Sequence, residues 1–159
     1  MKTLPSMPTA NLDQPRVLVT LDDRHWLLPQ TEAYSLESLL DIDSDVQSTH
    51  SLGALALAGQ WWPVYSLSGE LALSATLPES RRLCLLLDNG ADRFGLAADR
   101  VEMLKSAPTP FPLPACMAMP GSPVQALVQL ETGLGYVTDT ERLAAWLTAQ
   151  MEDADNAEV

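Results

Sequence analysis

Residues 52–67 read LGALALAGQWWPVYSL, two short apolar runs separated by Ala58-Gly59. Residues 83–104 read LCLLLDNGADRFGLAADRVEML and repeat this arrangement around Asp88-Asn89-Gly90. Asn and Gly tolerate the positive φ angles that a tight hairpin turn requires. The two stretches therefore predict two β-hairpins. Gly95, inside the second arm of the later hairpin, predicts a bend or a close approach by another backbone.

Short apolar runs between turn signals predict further strands on both sides of these hairpins. They lie at residues 17–21, 25–28, 124–130 and 134–138. Six prolines between residues 107 and 123 exclude a helix or a central strand, because proline lacks the amide donor and fixes φ, and predict an extended connection. Many short strands with glycine, proline and Asp-Asn-Gly turns predict an all-β barrel or sandwich.

Helical patterns are confined to two places. Residues 31–42 fit a short helical turn better than a strand. Residues 141–151 predict a C-terminal helix with Leu143, Trp146 and Leu147 on one face.

The length of 159 residues predicts a single domain. Residues 1–14 lack periodicity and are expected to form a flexible N-terminal segment, and residues 15–151 form the domain. Residues 152–159 contain four acids and no base, which is typical of a disordered acidic tail.

The composition excludes several classes of partner. Twenty-one acidic and nine basic residues give a net charge of −12, which repels nucleic-acid phosphates and anionic lipid. No apolar run reaches the length of a membrane span, so we expect no direct membrane insertion. The two cysteines do not form a CxxC pair, which favours a reduced, cytoplasmic setting.

Catalytic groups are sparse in this sequence. His25 and His50 are the only imidazoles, and each fits a surface or capping role better than a catalytic one. Cys84 lies in an apolar strand and is expected to be a core residue rather than a nucleophile. Asp88, Asn89 and Asp92 fit a hairpin turn better than a calcium loop, since the distal glutamate is missing. The sequence therefore predicts no enzyme, no cofactor and no metal.

Trp61 and Trp62 are adjacent in a predicted strand, so their side chains point to opposite faces. One is expected to fill the core. The other either packs within the domain or anchors a partner, because tryptophan is enriched at interface hot spots.

Three stretches in this order resemble the CheW-like adaptor domain of bacterial chemosensory arrays. They are Ala56-Leu57-Ala58-Gly59 with the following Trp62-Pro63-Val64, then Gly95-Leu96-Ala97-Ala98-Asp99-Arg100-Val101, and last Asp139, Glu141 and Leu143. The resemblance covers roughly residues 15–147. It implies two five-stranded, SH3-like β-barrels packed side by side, with a binding surface at and around their junction.

The sequence also departs from the family at polar positions. The family's arginine is Ala58 here, its asparagine is Ala56, and its acidic residue after Pro-Val is Ser66. These changes indicate a conserved scaffold with altered recognition.

The resemblance implies a non-catalytic adaptor in a chemosensory, type IV pilus or surface-motility pathway. Its partners would be the regulatory domain of a CheA-type histidine kinase and a chemoreceptor. The residues that we expect to contact a partner are Ala33, Leu36, Leu55, Ala56, Ala58, Gly59, Gln60 and Trp61. The alternative is that the same fold binds a partner outside chemotaxis, such as a pilus, cyclic-nucleotide or polarity protein.

Overall fold

The computed structural model describes residues 14–46, 50–106, 108–117 and 119–157, which form two β-sheets and one long helix. The strands are β1 (Arg16–Leu21), β2 (Arg24–Pro29), β3 (Ala33–Ser38), β4 (Gly53–Leu57), β5 (Gln60–Leu67), β6 (Leu73–Ser74), β7 (Leu83–Asp88), β8 (Arg93–Ala98), β9 (Arg100–Met103), β10 (Pro110–Phe111), β11 (Ala126–Leu130) and β12 (Gly133–Val137), and the helix is α1 (Thr140–Ala157). Most of residues 1–14, expected to be flexible, lie outside the described residues.

Each sheet contains antiparallel hairpins joined by one parallel pair. The first sheet has the order β10-β11-β12-β2-β1-β9, with β12 parallel to β2. The second has the order β3-β7-β8-β5-β4, with β5 parallel to β8. The short strand β6 pairs with Ser66 and Leu67, the last two residues of β5. Asp43, which follows β3, exchanges two backbone hydrogen bonds with Ala54 of β4, at 2.8 and 3.1 Å. This bridge brings the two edges of the second sheet together, as closure of a barrel requires.

The predicted all-β fold class is confirmed, with six strands in each sheet, β6 included in the second, where five were expected. The hairpins β4–β5, β7–β8 and β11–β12 lie where the turn signals placed them. Gly95 is closely approached, since a Cβ there would lie 2.6 Å from the Cys84 sulfur. Trp62 is buried and Trp61 is half exposed, so the two do occupy opposite faces.

The later hairpin is shorter than predicted because the chain changes sheet at Asp99. The Asp99 amide donates to the carbonyl of Thr20 at 3.0 Å, and β9 then pairs with β1. One core cluster spans both sheets and the helix, including Leu21, Leu85 and Leu143. The two sheets are therefore joined by a shared apolar core as well as by the chain.

The helical expectation for residues 31–42 is wrong. This segment is strand β3, paired with β7 and flanked by the 3-10 turns Gln30–Glu32 and Leu39–Asp41. Tyr34 and Leu36 are exposed while their neighbours are half buried, the period-2 pattern of an edge strand. Pairing with the mostly buried strand β7 outweighs the local helical periodicity.

The C-terminal helix is confirmed, with Leu143 and Leu147 buried, but it continues through Ala157. The expected disordered tail is thus helical as far as that residue, because exposed Glu and Asp side chains do not prevent a helix that is anchored at its start. The proline-rich connection contains only the two-residue edge strand β10 and a 3-10 turn, Ala115–Met117. No helix among the described residues is long and apolar enough to cross a membrane.

Candidate functional site

The tip of the β4–β5 hairpin is a two-residue turn that presents its backbone to solvent. Ala58 has φ 54° and Gly59 has φ 75°, the pair of positive values found in a type I′ turn. Both residues are exposed, as are Ala56 and Gln60 beside them. The turn geometry that normally calls for Asn-Gly is therefore formed here with an alanine at its first position.

The buried Trp62 ties this tip to strand β3. Its indole Nε1 donates to the carbonyl of Leu57 at 3.4 Å, and its ring centroid lies 5.0 Å from that of Tyr34. The guanidinium of Arg93 lies 5.3 Å from the centre of the same ring, within cation–π range. At one end of the second sheet, the hairpin tip, strand β3 and the guanidinium of Arg93 therefore all contact the ring of Trp62.

An open depression of about 670 Å³ lies beside β3. Three exposed leucines line it: Leu36 is 47 % exposed, Leu40 93 % and Leu77 38 %. Arg82, also exposed, lines it as well and, unlike the neighbouring Arg81, forms no ion pair with any of the residues that the structure describes. We call this set of leucines and Arg82 the apolar depression. Single exposed leucines are ordinary, but three around one concavity form a contiguous apolar surface.

The structure divides the predicted partner-contact residues into three groups. Those at the hairpin tip that are exposed are Ala56, Ala58, Gly59, Gln60 and Trp61. Leu36 is exposed but belongs to the apolar depression. Leu55 and Ala33 offer little or no surface: Leu55 is only 3 % exposed because it faces the core opposite Trp62, and Ala33 packs against the larger core cluster.

Sequence reasoning missed Tyr34, Leu40 and Leu77 at this surface. The signal for the first was present, since Tyr34 and Leu36 are two residues apart. Assigning a helical turn to that segment hid the strand period. Leu40 lies in the three-residue 3-10 turn Leu39–Asp41 and Leu77 in the connection between β6 and β7, and both segments are too short or too irregular for a periodic pattern to report exposure.

Ser66, which stands where the family that this chain resembles has an acidic residue, lies in the interior rather than on the surface. Ser66 is fully buried, and its hydroxyl accepts a hydrogen bond from Nη1 of Arg81 at 2.9 Å. Arg81, with a side chain 1 % exposed, also donates to the carbonyl of Leu67 and, through Nη2, to Oδ1 of Asp22 at 2.9 Å. Its Nε lies 3.5 Å from Oδ2 of Asp99. We call these contacts the Arg81 junction. It joins the β1–β2 turn, β5 and the point where the chain changes sheet.

The side chains considered above for metal binding or catalysis have structural roles in the fold. Asp88 accepts from the amide of Gly90 at 2.8 Å and Asn89 from that of Asp92 at 2.6 Å, so these side chains cap the β7–β8 turn. Burial raises the pKa of the Cys84 thiol to about 12, with a smaller contribution from nearby Glu37, which makes it a poor nucleophile at neutral pH. Among the described residues no group of three or more His, Cys, Asp or Glu side chains could hold a metal ion.

Comparison with known proteins gives a clear likeness at the level of the solved structures. No protein-family model matches the sequence, and no curated protein matches it significantly. Among solved structures, the crystal structure of the scaffolding protein TtCheW from Thermoanaerobacter tengcongensis is similar with a TM-score of 0.61. The match has 14 % sequence identity and covers 79 % of this chain and 88 % of that one. At this identity the likeness concerns the backbone, and on that evidence the chain has a CheW-like fold.

Proposed function

We propose that this chain is a non-catalytic, cytoplasmic scaffold that couples signalling proteins in a bacterial chemosensory or pilus-linked motility pathway. Its partners are then a CheA-type kinase regulatory domain and a chemoreceptor or related signalling protein. The hairpin tip (residues 56–61) and the apolar depression are the surfaces that we assign to these contacts.

The observation that carries the proposal is the apolar depression on a CheW-like fold. A scaffold acts by contact alone, so it needs apolar surface that its own core leaves uncovered. Leu40 is 93 % exposed and lies beside two further exposed leucines, and Trp61, 53 % exposed, adds a second candidate anchor. Tryptophan and clustered apolar side chains are the groups that dominate binding energy in measured interfaces.

The direct test is calorimetric titration of the full chain with the kinase regulatory domain from the same organism. We expect saturable binding, and we expect Leu40→Glu to weaken it at least about tenfold, because a charge would be buried where the leucine makes contact. Leu134→Glu is the matched control. Leu134 is 44 % exposed on β12 of the first sheet, far from the apolar depression in the topology.

If Leu40→Glu and Leu134→Glu reduced the affinity for the kinase domain equally, the apolar depression would not be the contact surface. If neither Leu40→Glu nor Trp61→Ala changed the affinity for the kinase domain, both surface assignments would be wrong, although the adaptor role would stand. No binding of either the kinase domain or a receptor fragment would refute the chemosensory role.

A second candidate function is a CheW-like module for a partner outside chemotaxis. It is favoured by Ala56 and Ala58, which are small and exposed where the family that this chain resembles carries an asparagine and an arginine. Ala58→Arg separates the two functions. A gain in kinase affinity on restoring the arginine would mean that the original contact site is intact and was weakened. An unchanged, undetectable affinity would favour the exchanged partner.

A further inference from the structure

A separate pocket of about 360 Å³ lies between the proline-rich connection and the first sheet. Three aromatic side chains from different elements line it: Trp26 of β2, Tyr136 of β12 and Trp146 of α1. Met117 and Met119 of the connection line it as well, and Met119 is 68 % exposed. We call this the aromatic pocket. It shares no lining residue with the apolar depression.

The two tryptophan walls are fixed by hydrogen bonds that occupy their indole N–H groups. The Trp26 indole donates to the carbonyl of Gly69 at 3.1 Å, and the Trp146 indole donates to that of Leu71 at 2.6 Å. The rings of Trp26 and Tyr136 pack with centroids 5.0 Å apart. A ligand in this pocket therefore meets rigid ring faces and two adaptable thioethers, a lining suited to an apolar group.

Charges of opposite sign lie at the rim. Nη2 of Arg24 is 3.5 Å from Oε1 of Glu70, and Nη1 of Arg24 is 3.4 Å from the hydroxyl of Tyr136. Both contacts are longer than a good hydrogen bond. The Arg24 and Glu70 side chains are 46 % and 79 % exposed, and an ion pair with that exposure is worth less than about 1 kcal/mol. Each charge can consequently exchange its present partner for a ligand at little cost.

Gly69 allows Arg24 to lie across the rim. A Cβ on Gly69 would come within 2.6 Å of Cγ of Arg24 and 2.8 Å of the carbonyl oxygen of Leu21. The absence of a side chain at this position thus sets the place of the guanidinium next to Glu70.

From this geometry we propose that the aromatic pocket binds a free α-amino acid with a large apolar side chain. The carboxylate pairs with the guanidinium of Arg24, the ammonium pairs with Glu70, and the side chain enters between the rings and the methionines. A planar guanidinium is suited to bidentate carboxylate binding. The volume lies at the small end of ligand pockets, which favours a molecule of this size over a nucleotide or a drug-sized compound.

The test is calorimetry of the full chain with L-leucine, L-methionine and L-phenylalanine, with tryptophan fluorescence as a second readout. We expect saturable binding of these three and none of L-alanine, whose side chain is too short to fill the pocket. Leucinamide lacks the carboxylate and N-acetyl-leucine lacks the ammonium. Each should bind about tenfold more weakly or worse, since one charge-assisted contact is lost.

Arg24→Gln and Glu70→Gln should each reproduce the loss seen with the matching analogue. Arg100→Gln is the control, because Arg100 is a surface arginine paired at 3.8 Å with Glu102 and does not line this pocket. Thermal unfolding of each variant reports whether it folds. Equal affinity for leucine, leucinamide and N-acetyl-leucine would overturn the proposal and mark the pocket as a socket for an apolar side chain of a protein. No saturation up to about 10 mM amino acid would overturn it as well.

Discussion

Replacing Arg81 with alanine is expected to destabilise the protein more than any exposed substitution. The guanidinium is buried, and it is the shared donor to Ser66, to the carbonyl of Leu67 and to Asp22. These groups belong to β5 and to the turn between β1 and β2, so the side chain bridges the two sheets.

The magnitude follows from what the substitution leaves behind. In the alanine variant the hydroxyl of Ser66 and the carbonyl of Leu67 no longer receive a hydrogen bond from Arg81. Each unsatisfied buried acceptor lowers the free energy of unfolding by about 1–3 kcal/mol unless a water molecule takes the place of the guanidinium. Asp99, with a side chain 15 % exposed, loses a counter-charge, whereas Asp22 at 47 % exposure is largely solvated and contributes little. The sum is about 3–5 kcal/mol, the range seen when one partner of a buried ion pair is removed. For a chain of this size that lowers Tm by about 10 °C.

Urea unfolding followed by tryptophan fluorescence and by circular dichroism measures this loss. Arg82→Ala is the matched control: Arg82 is the next residue, exposed, and should change the free energy of unfolding by less than about 0.5 kcal/mol. Arg81→Met keeps most of the volume and should lose nearly as much stability as Arg81→Ala, because it too removes the donors. If Arg81→Ala stays within about 1 kcal/mol of the parent, the Arg81 junction is not what holds the two sheets together.

Three further substitutions have expected outcomes. Ala58→Asn should stabilise the hairpin by about 0.5–1 kcal/mol in urea unfolding, because asparagine tolerates the φ of 54° better than alanine; no gain would mean that the turn relaxes. Gly95→Ala should cost about 1–3 kcal/mol through the 2.6 Å approach to the Cys84 sulfur, and adding Cys84→Ala should recover part of it; strictly additive losses would contradict that contact. Since burial raises the Cys84 pKa from 9.0 to about 12, the folded state holds this proton more tightly. Stability from this group is therefore complete below pH 9 and is lost between pH 9 and 12, a loss that Cys84→Ala should reduce. At pH 8 a thiol reagent should modify the exposed Cys116 and reach Cys84 only after unfolding.

The hairpins could be predicted from sequence because their information is local. Asp88-Asn89-Gly90 forms its own hydrogen bonds within the turn, and Ala58-Gly59 separates two apolar runs that pair with each other. The segment at residues 31–42 could not be predicted in this way. Its strand conformation depends on pairing with β7, some fifty residues later in the chain. The local two-residue spacing of Tyr34 and Leu36 competes there with a helical spacing of Leu36, Leu39 and Leu40, so the segment alone does not decide between the two.

The candidate site was predicted in part for the same reason. The hairpin tip is local and its exposure could be predicted from the sequence, whereas the apolar depression combines residues from β3, from the 3-10 turn after it and from the connection that precedes β7. The Arg81 junction was also missed. Its arginine lies in a short polar connection, where burial depends on carboxylates supplied by two distant turns.

The positions that match the CheW-like motifs include those where packing leaves no room for change. Gly95 lies in the second of these motifs, and a Cβ there would lie 2.6 Å from the Cys84 sulfur and 3.0 Å from Cδ2 of Leu86. Ala56 and Ala58, where the sequence departs from the motif, are exposed at the hairpin, where core packing does not restrict the size of a side chain. Ser66 departs in the interior, yet the charge balance there is kept by Asp22 and Asp99 around Arg81. Steric and electrostatic constraints thus preserve the fold while leaving the exposed hairpin free to diverge, which explains a shared fold at 14 % identity.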